Sequence, residues 1–199
     1  MTDMSSVEEV AAAIPPDAGL LRIDHVAVAV TDPAEGVALF GDALGGRFLF
    51  GGDNDRQGIR IVQFALPGGM KIELISPLRD DAAVARFLAR RGPGVHHITM
   101  IFADVEVAVA RLTGLGYEVV DVDLAHPTWR EAFVRPRSGC GTLLQLADTS
   151  QRWDAPPASG ITLADVLAGR VVFTEDERAV LRSGGREPSR KGSPDVSGE

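Results

Sequence analysis

The strongest constraint in this sequence is that its middle is written twice. Shifted by 72 positions, RIDHVAVAVTD falls on GVHHITMIFAD, which sets His25 on His97, Val26 on Ile98 and Asp32 on Asp104. The segments that follow keep the offset, with Val37 on Val109 and Phe40 on Leu112. The prolines that close FALP and FVRP, Pro67 and Pro136, lie 69 apart, so one loop has changed length. By KIELISP and LLQLADT the offset has returned, with Glu73 on Gln145 and Leu74 on Leu146. Similarity at a fixed offset marks one supersecondary unit used twice. Each half therefore carries a histidine near its start and a carboxylate or carboxamide 48 positions later.

Each half reads strand, helix, then three strands. In the first strand Val26, Val28 and Val30 alternate with His25, Ala27 and Ala29, so the two sets face opposite ways. Asp32 is a helix cap with Pro33 at the first helical position, and Val37, Phe40 and Leu44 form an apolar stripe that stops at Gly45-Gly46. Strands over 47–50, 59–66 and 70–75 follow. The second half repeats the order: strand 95–102, Asp104 as cap, a helix to Gly114, then strands over 118–122, 130–134 and 142–146. The expected organisation is a mobile N-terminal arm over 1–19 and a domain over 20–150, built of modules 20–78 and 93–150 joined by a bridging helix over 80–91. A helical appendage over 151–183, with helical patterns near Leu163–Ala168 and Glu175–Leu181, and a disordered tail over 184–199 complete it.

The 199 residues carry 20 Lys and Arg against 28 Asp and Glu, a formal charge of −8, with no block of like charge, which argues against a nucleic-acid partner. No run approaches the roughly 20 apolar residues that span a bilayer, and the start lacks the pattern of a signal peptide. The lone Cys140 excludes an intrachain disulfide framework and a cysteine-cluster zinc site, and fits a reducing, cytoplasmic setting. No Walker loop, G-x-G-x-x-G fingerprint or arranged Ser or Cys nucleophile is present.

If the valine face packs on the helices, the opposite face carries His25, Glu73, His97 and Gln145. Two imidazoles, a carboxylate and an amide oxygen on one concave surface suit a divalent first-row metal. A lone strand histidine is ordinarily a hydrogen-bonded core residue, and Glu73 has Lys71 nearby to pair with. Repetition at one offset overrides this. Polar residues at equal spacing in both copies, on strands otherwise rich in Val, Ile and Leu, are costly to bury without a shared purpose.

IDHVAVAVTD, KIELISPL, GVHHITM and the spacing from Arg135-Pro136 to GTLLQL resemble the vicinal oxygen chelate superfamily of glyoxalase I, extradiol dioxygenases and methylmalonyl-CoA epimerase, most closely the epimerase. The resemblance implies an α+β fold of paired βαβββ modules whose curled, mostly antiparallel sheet surrounds one metal site. It implies a divalent ion (Co, Mn, Ni, Zn or Fe) held by His25, Glu73, His97 and Gln145, a small-molecule substrate and a homodimer. His96 is then the neighbour turned to the other face. In the epimerase and glyoxalase I the last ligand is a glutamate that also moves a proton, whereas Gln145 cannot. The epimerase's second carboxylate falls near Ile61 or Val62, which cannot ionise. An exchange of the acid/base pair between modules resolves this, with Glu73 and Glu131 serving at a carbon beside a carbonyl. Gln63, Trp129, Arg130 and Phe133 are the expected substrate-lining residues. The leading expectation is a metal-dependent epimerase or isomerase of a small carbonyl or acyl-CoA compound. A glyoxalase-type lyase, an iron-dependent dioxygenase and a non-catalytic ligand-sequestering protein stay open.

Overall fold

The structure, a computed structural model, describes residues 19–67, 69–126, 128–150, 160–175 and 178–182. The arm and tail expected at the two ends lie outside the described residues, apart from Gly19. The described residues form ten strands: β1 (Leu20–Ala29), β2 (Arg47–Asn54), β3 (Ile59–Ala65), β4 (Lys71–Pro77), β5 (Gly94–Phe102), β6 (Val119–Asp123), β7 (Trp129–Val134), β8 (Leu143–Thr149), β9 (Val171–Phe173) and β10 (Ala179–Leu181). The helices are α1 (Pro33–Gly36, continued as a π-helical segment Val37–Ala43), α2 (Ala83–Arg91), α3 (Val105–Gly114) and α4 (Leu163–Leu167). All strands join one mixed, mostly antiparallel sheet in the order β10-β9-β2-β3-β4-β1-β5-β8-β7-β6.

The repeat is visible in the pairing. β1 runs antiparallel to β5 with His25 opposite Thr99 and Ala27 opposite His97, two pairs that exchange under the shift of 72 and so straddle a pseudo-twofold axis. On either side, β1 pairs parallel with β4 (Ala27 with Glu73) and β5 pairs parallel with β8 (Thr99 with Gln145), again related by the same shift. Three register shifts interrupt this seam, and beyond the one at its start, between Leu20 and Arg22, two lie at the histidines: the register skips between Ile23 and His25, and again where Ala27 is followed by Val28 opposite His97 and Val95. These two each insert an extra residue beside a histidine, Asp24 before His25 and His96 before His97, and an extra residue of this kind shares a face with its neighbour.

The helices cap as the sequence indicates. The Asp32 carboxylate accepts from the Ala34 amide, and Asp104 accepts from Glu106 and Val107. α1 covers the valine face through Val37 and Phe40, against Val30, Val62, Phe64 and Leu74. Gly36 lets it lie this close, since a Cβ there would stand 2.6 Å from a Leu74 methyl. α3 covers the corresponding face of the second module against Phe102, Val134 and Leu146. α2 packs on the opposite face, where Val84, Phe87 and Leu88 meet Ala27, Ala29, Ile59 and Ile75 and close one end of the concave side.

The C-terminal segment departs from expectation. α4 forms at the first helical pattern, capped by Thr162 and Asp165, but in the Glu175–Leu181 stretch, of which residues 176 and 177 lie outside the described residues, Glu175 stands in a turn and Ala179–Leu181 form strand β10. β9 pairs parallel with β2 (Val172 opposite Asp53) and β10 folds back on β9. The physical reason is the open edge of β2, whose unpaired backbone groups are satisfied by an added strand and not by a helix. Val166 and Val171, both 0% exposed, bind this segment into the core around Phe64.

Among the described residues no helix is long and apolar enough to cross a membrane. Gly51 lies where the first module meets the C-terminal segment: a Cβ there would stand 2.4 Å from the Ile61 carbonyl oxygen and 3.0 Å from a Val166 methyl. Gly51→Ala is therefore expected to cost about 1–3 kcal/mol through overpacking, seen as a lower denaturant midpoint with an unchanged slope.

Candidate metal centre

The curled sheet encloses a cavity of about 930 Å³ on its concave side, lined by residues of both modules and of the C-terminal hairpin. His25, Glu73 and His97 come together in it, each offering a donor atom within 4.8 Å of the others. Their strands place them there: β1 and β5 carry the histidines along the seam, and the parallel partner β4 carries Glu73. His25 Nε2 lies 3.5 Å from Glu73 Oε1. Gln145 joins through Thr99, whose hydroxyl donates to Gln145 Oε1 at 2.5 Å and lies 2.9 Å from His25 Nε2.

Each histidine is oriented from behind. Asp24 Oδ2 accepts from His25 Nδ1 at 2.9 Å and is itself held by Lys71 Nζ at 3.2 Å. Asp24, His25 and Lys71 are all buried, so this is a charged chain inside the protein. In the second module the position equivalent to Asp24 is His96, whose Nδ1 lies 2.8 Å from His97 Nδ1, and its ring packs edge-on against Phe87. His97 Nε2 is buried and has no hydrogen-bond partner. With Nδ1 engaged by His96, that bare nitrogen is the lone pair a metal takes, and an oriented imidazole of this kind is the usual second layer of a metal site.

Burial opposes a charge on His25, but the Glu73 charge and the hydrogen bonds to Asp24 and Glu73 raise its pKa to about 9. At His97 burial dominates, aided by the charges of His25 and His96 and opposed by Glu73, and lowers the pKa to about 3. Against its own burial, the charge and hydrogen bond of His25, and then His97, hold Glu73 below the ordinary carboxylate range. Without metal the centre is thus a protonated His25 facing an ionised Glu73 beside a neutral His97. A divalent ion fits this donor set of two imidazoles, a carboxylate and a carboxamide oxygen, taking the place of the His25 proton.

Glu131 reaches the same cavity and is 8% exposed. Its Oε2 accepts from Gln145 Nε2 at 2.6 Å and from Trp129 Nε1 at 2.9 Å. The neighbouring arginines turn elsewhere, Arg135 to Glu118 and Arg130 to Asp148 and Asp104. Glu131 sits opposite Ala147 as Ile61 sits opposite Ile75, so it is the second-module counterpart of the position where a first-module carboxylate was missing. Gln63 also lines the cavity, donating to Glu73 Oε2 at 3.3 Å while its buried Oε1 has no partner.

Trp129 and Phe133 line the cavity as the sequence predicts, but Arg130 does not. Alternation along β7 sends Trp129, Glu131 and Phe133 inward and Arg130 outward, to Asp148 at 3.0 Å and Asp104 at 3.2 Å. His96 is the other correction: the bulge keeps it on the cavity side. His126 is half-buried, donating from Nε2 to the Glu175 carbonyl at 2.7 Å. Asp24, Lys71, His96 and Thr99 are the contributors that pattern reading missed. The doublets Asp24-His25 and His96-His97 at one offset held a signal for two of them. Thr99 had none, because its repeat partner is Ala27.

Residues 24–133 match the family model described as the Glyoxalase/Bleomycin resistance protein/Dioxygenase superfamily. An uncharacterised protein of Bacillus subtilis is 28% identical over 132 residues, 64% of this chain and 91% of its own length. An ethylmalonyl-CoA/methylmalonyl-CoA epimerase of Cereibacter sphaeroides is 33% identical over 100 residues, 50% of this chain and 74% of its own. The crystal structure of methylmalonyl-CoA epimerase from Mycobacterium tuberculosis superposes with a TM-score of 0.63 at 28% identity, covering 71% of this chain and 96% of that one.

Protein purified without chelator is expected to carry about one divalent ion per chain, lost in a His25→Ala/His97→Ala variant that still folds. The ion must displace a proton that His25 holds up to about pH 9. Affinity therefore falls about tenfold for each unit of pH below 9, and binding at pH 7 releases about one proton. Calorimetry in buffers of different ionisation enthalpy reads both.

Proposed function

The chain belongs to the glyoxalase/bleomycin resistance protein/dioxygenase superfamily, and from that premise we propose that it is a metal-dependent epimerase of a small carbonyl or acyl-CoA compound, acting by proton transfer at the carbon beside the carbonyl. The observation that carries this reading is Glu131, a second carboxylate that shares the cavity with Glu73 and is fixed by Gln145 and Trp129. The epimerase names of the Cereibacter and Mycobacterium relatives agree with it.

A divalent ion held by His25, Glu73, His97 and Gln145 would polarise a substrate carbonyl and stabilise the charge that develops on its oxygen. Epimerisation takes a proton from one face of a carbon and returns one to the other, so it needs two acid/base groups. In this reading Glu131 removes the proton and the C–H electron pair moves toward the carbonyl; Glu73, ionised in the resting centre, takes up a proton from solvent and delivers it to the opposite face, and Glu131 then releases its proton to solvent. The reverse reaction exchanges the two roles. Gln145 cannot carry a proton, but its carboxamide has two ends: Oε1 faces the Thr99 hydroxyl and Nε2 holds Glu131. Gln63 steadies the second oxygen of Glu73. Gln63, Trp129 and Phe133 flank the substrate. The homodimer and the cytoplasmic setting belong to the same proposal, the latter supported by the lone cysteine.

One observation favours a second reading. His25, His97 and Glu73 are two histidines and one carboxylate, the set that holds ferrous iron in oxygenases. Oxygen uptake with ferrous iron and a catechol separates the two.

Deuterium from solvent is expected to enter the α-carbon of 2-methylmalonyl-CoA or another α-branched acyl-CoA only in the presence of the metal-loaded protein. Glu131→Gln is expected to cut that exchange by about 10²–10⁴ while leaving the bound metal in place. Exchange at the wild-type rate in that variant would end the role given to Glu131.

A further inference from the structure

We propose that the C-terminal hairpin β9–β10 is a carrier-binding wall of the cavity, where Phe173 and Arg178, beside Phe50 and Arg56, receive the nucleotide end of a coenzyme A thioester. This rests on the acyl-CoA reading above and adds residues that lie outside the family-matched span of 24–133.

Size is the first argument. A reacting acyl group of six or seven non-hydrogen atoms, at about 30 Å³ each, fills roughly 200 Å³. The cavity measures about 930 Å³, so most of it serves something other than the reacting group. His25, Glu73 and His97 stand on the central strands β1, β4 and β5, while β2 and the hairpin form one flank of the same sheet. On that flank the lining is Phe50, Arg56, Phe173, Arg178, Ala179 and Val180.

Rigidity is the second. Val171 is fully buried, and Arg182 at the end of β10 is held by Asp53 at 3.2 Å, by Asp55 at 3.1 Å and by the Gly169 carbonyl at 3.2 Å. The turn of the hairpin is tied to the far module by the bond from His126 Nε2 to the Glu175 carbonyl. Phe173 is therefore presented in one orientation, edge-on to Phe50 with ring centroids 6.3 Å apart.

Chemistry is the third. Arg56 is engaged by Asp123 at 3.0 Å. Arg178 is exposed at the cavity, and among the described residues its guanidinium makes no ion pair. Aromatic rings beside a guanidinium are what a base and a phosphate ask for, the rings taking the flat heterocycle and the fork taking the anion.

The test is calorimetric titration of the metal-loaded protein with three probes: coenzyme A, 3′,5′-adenosine diphosphate and pantetheine. Wild type is expected to bind the first two, and Arg178→Ala and Phe173→Ala each to weaken them by about tenfold without changing the affinity for pantetheine. Unchanged affinity for coenzyme A in Arg178→Ala overturns the proposal, as does a wild type that binds no coenzyme A. Arg178 is exposed, so its variant keeps the test decisive even where Phe173→Ala unfolds. Isotope exchange is scored separately: exchange with unaltered coenzyme A binding in the variants leaves the epimerase reading standing and removes the hairpin's role. Coenzyme A binding without exchange does the opposite.

Discussion

The antiparallel seam between β1 and β5 is the constraint on which the rest of the molecule depends. Neither module holds the whole of the proposed donor set: the first supplies His25 and Glu73, the second His97 and Gln145. Only when His25 stands across from Thr99, and Ala27 across from His97, do the four side chains and the bridging hydroxyl meet. A slip of one residue would turn each strand's polar set into the helix-facing core. The bulges at Asp24 and His96 pin that register, because each is a local insertion that fits in one place.

The two modules share a frame but differ in charge. The first places a carboxylate, Glu73, at the ligand position and steadies it with a carboxamide, Gln63; the second places a carboxamide, Gln145, there and binds to it a carboxylate, Glu131. Behind the histidines the difference recurs, with Asp24 and Lys71 in one module and His96 and Leu143 in the other. Burial opposes a charge on both histidines; at His25 the Glu73 charge and the hydrogen bonds to Asp24 and Glu73 overcome it, at His97 burial prevails, and so two histidines matched in sequence are pushed in opposite directions.

Much of this was legible before any coordinates. The offset of 72 located both modules, Asp32 and Asp104 marked the helix starts, and alternation put His25, Glu73, His97 and Gln145 on one face. The same alternation rule, applied without bulges, misplaced His96; applied to β7, it would have excluded Arg130. Strand β10 falls in the Glu175–Leu181 stretch that reads as a helical pattern, because short apolar segments carry little period and because what decides the strand is an open edge on β2 more than a hundred residues earlier. Thr99 was invisible for a different reason. A threonine on a strand is ordinary, and its importance comes only from standing between His25 and Gln145.

The central place of β1 also sets an order of events in synthesis. The strand is complete once residue 29 has been made, yet its seam partner begins only at Gly94. From the completion of β4 at Pro77 until then, a nascent first module that has paired β1 with β4 still presents the other side of β1 as a free edge, the kind of edge that recruits foreign strands. The kink beside His25 and the charge of Asp24 lie on that waiting edge. A feature that orients His25 in the finished protein is, in the unfinished one, a guard against pairing with the wrong chain.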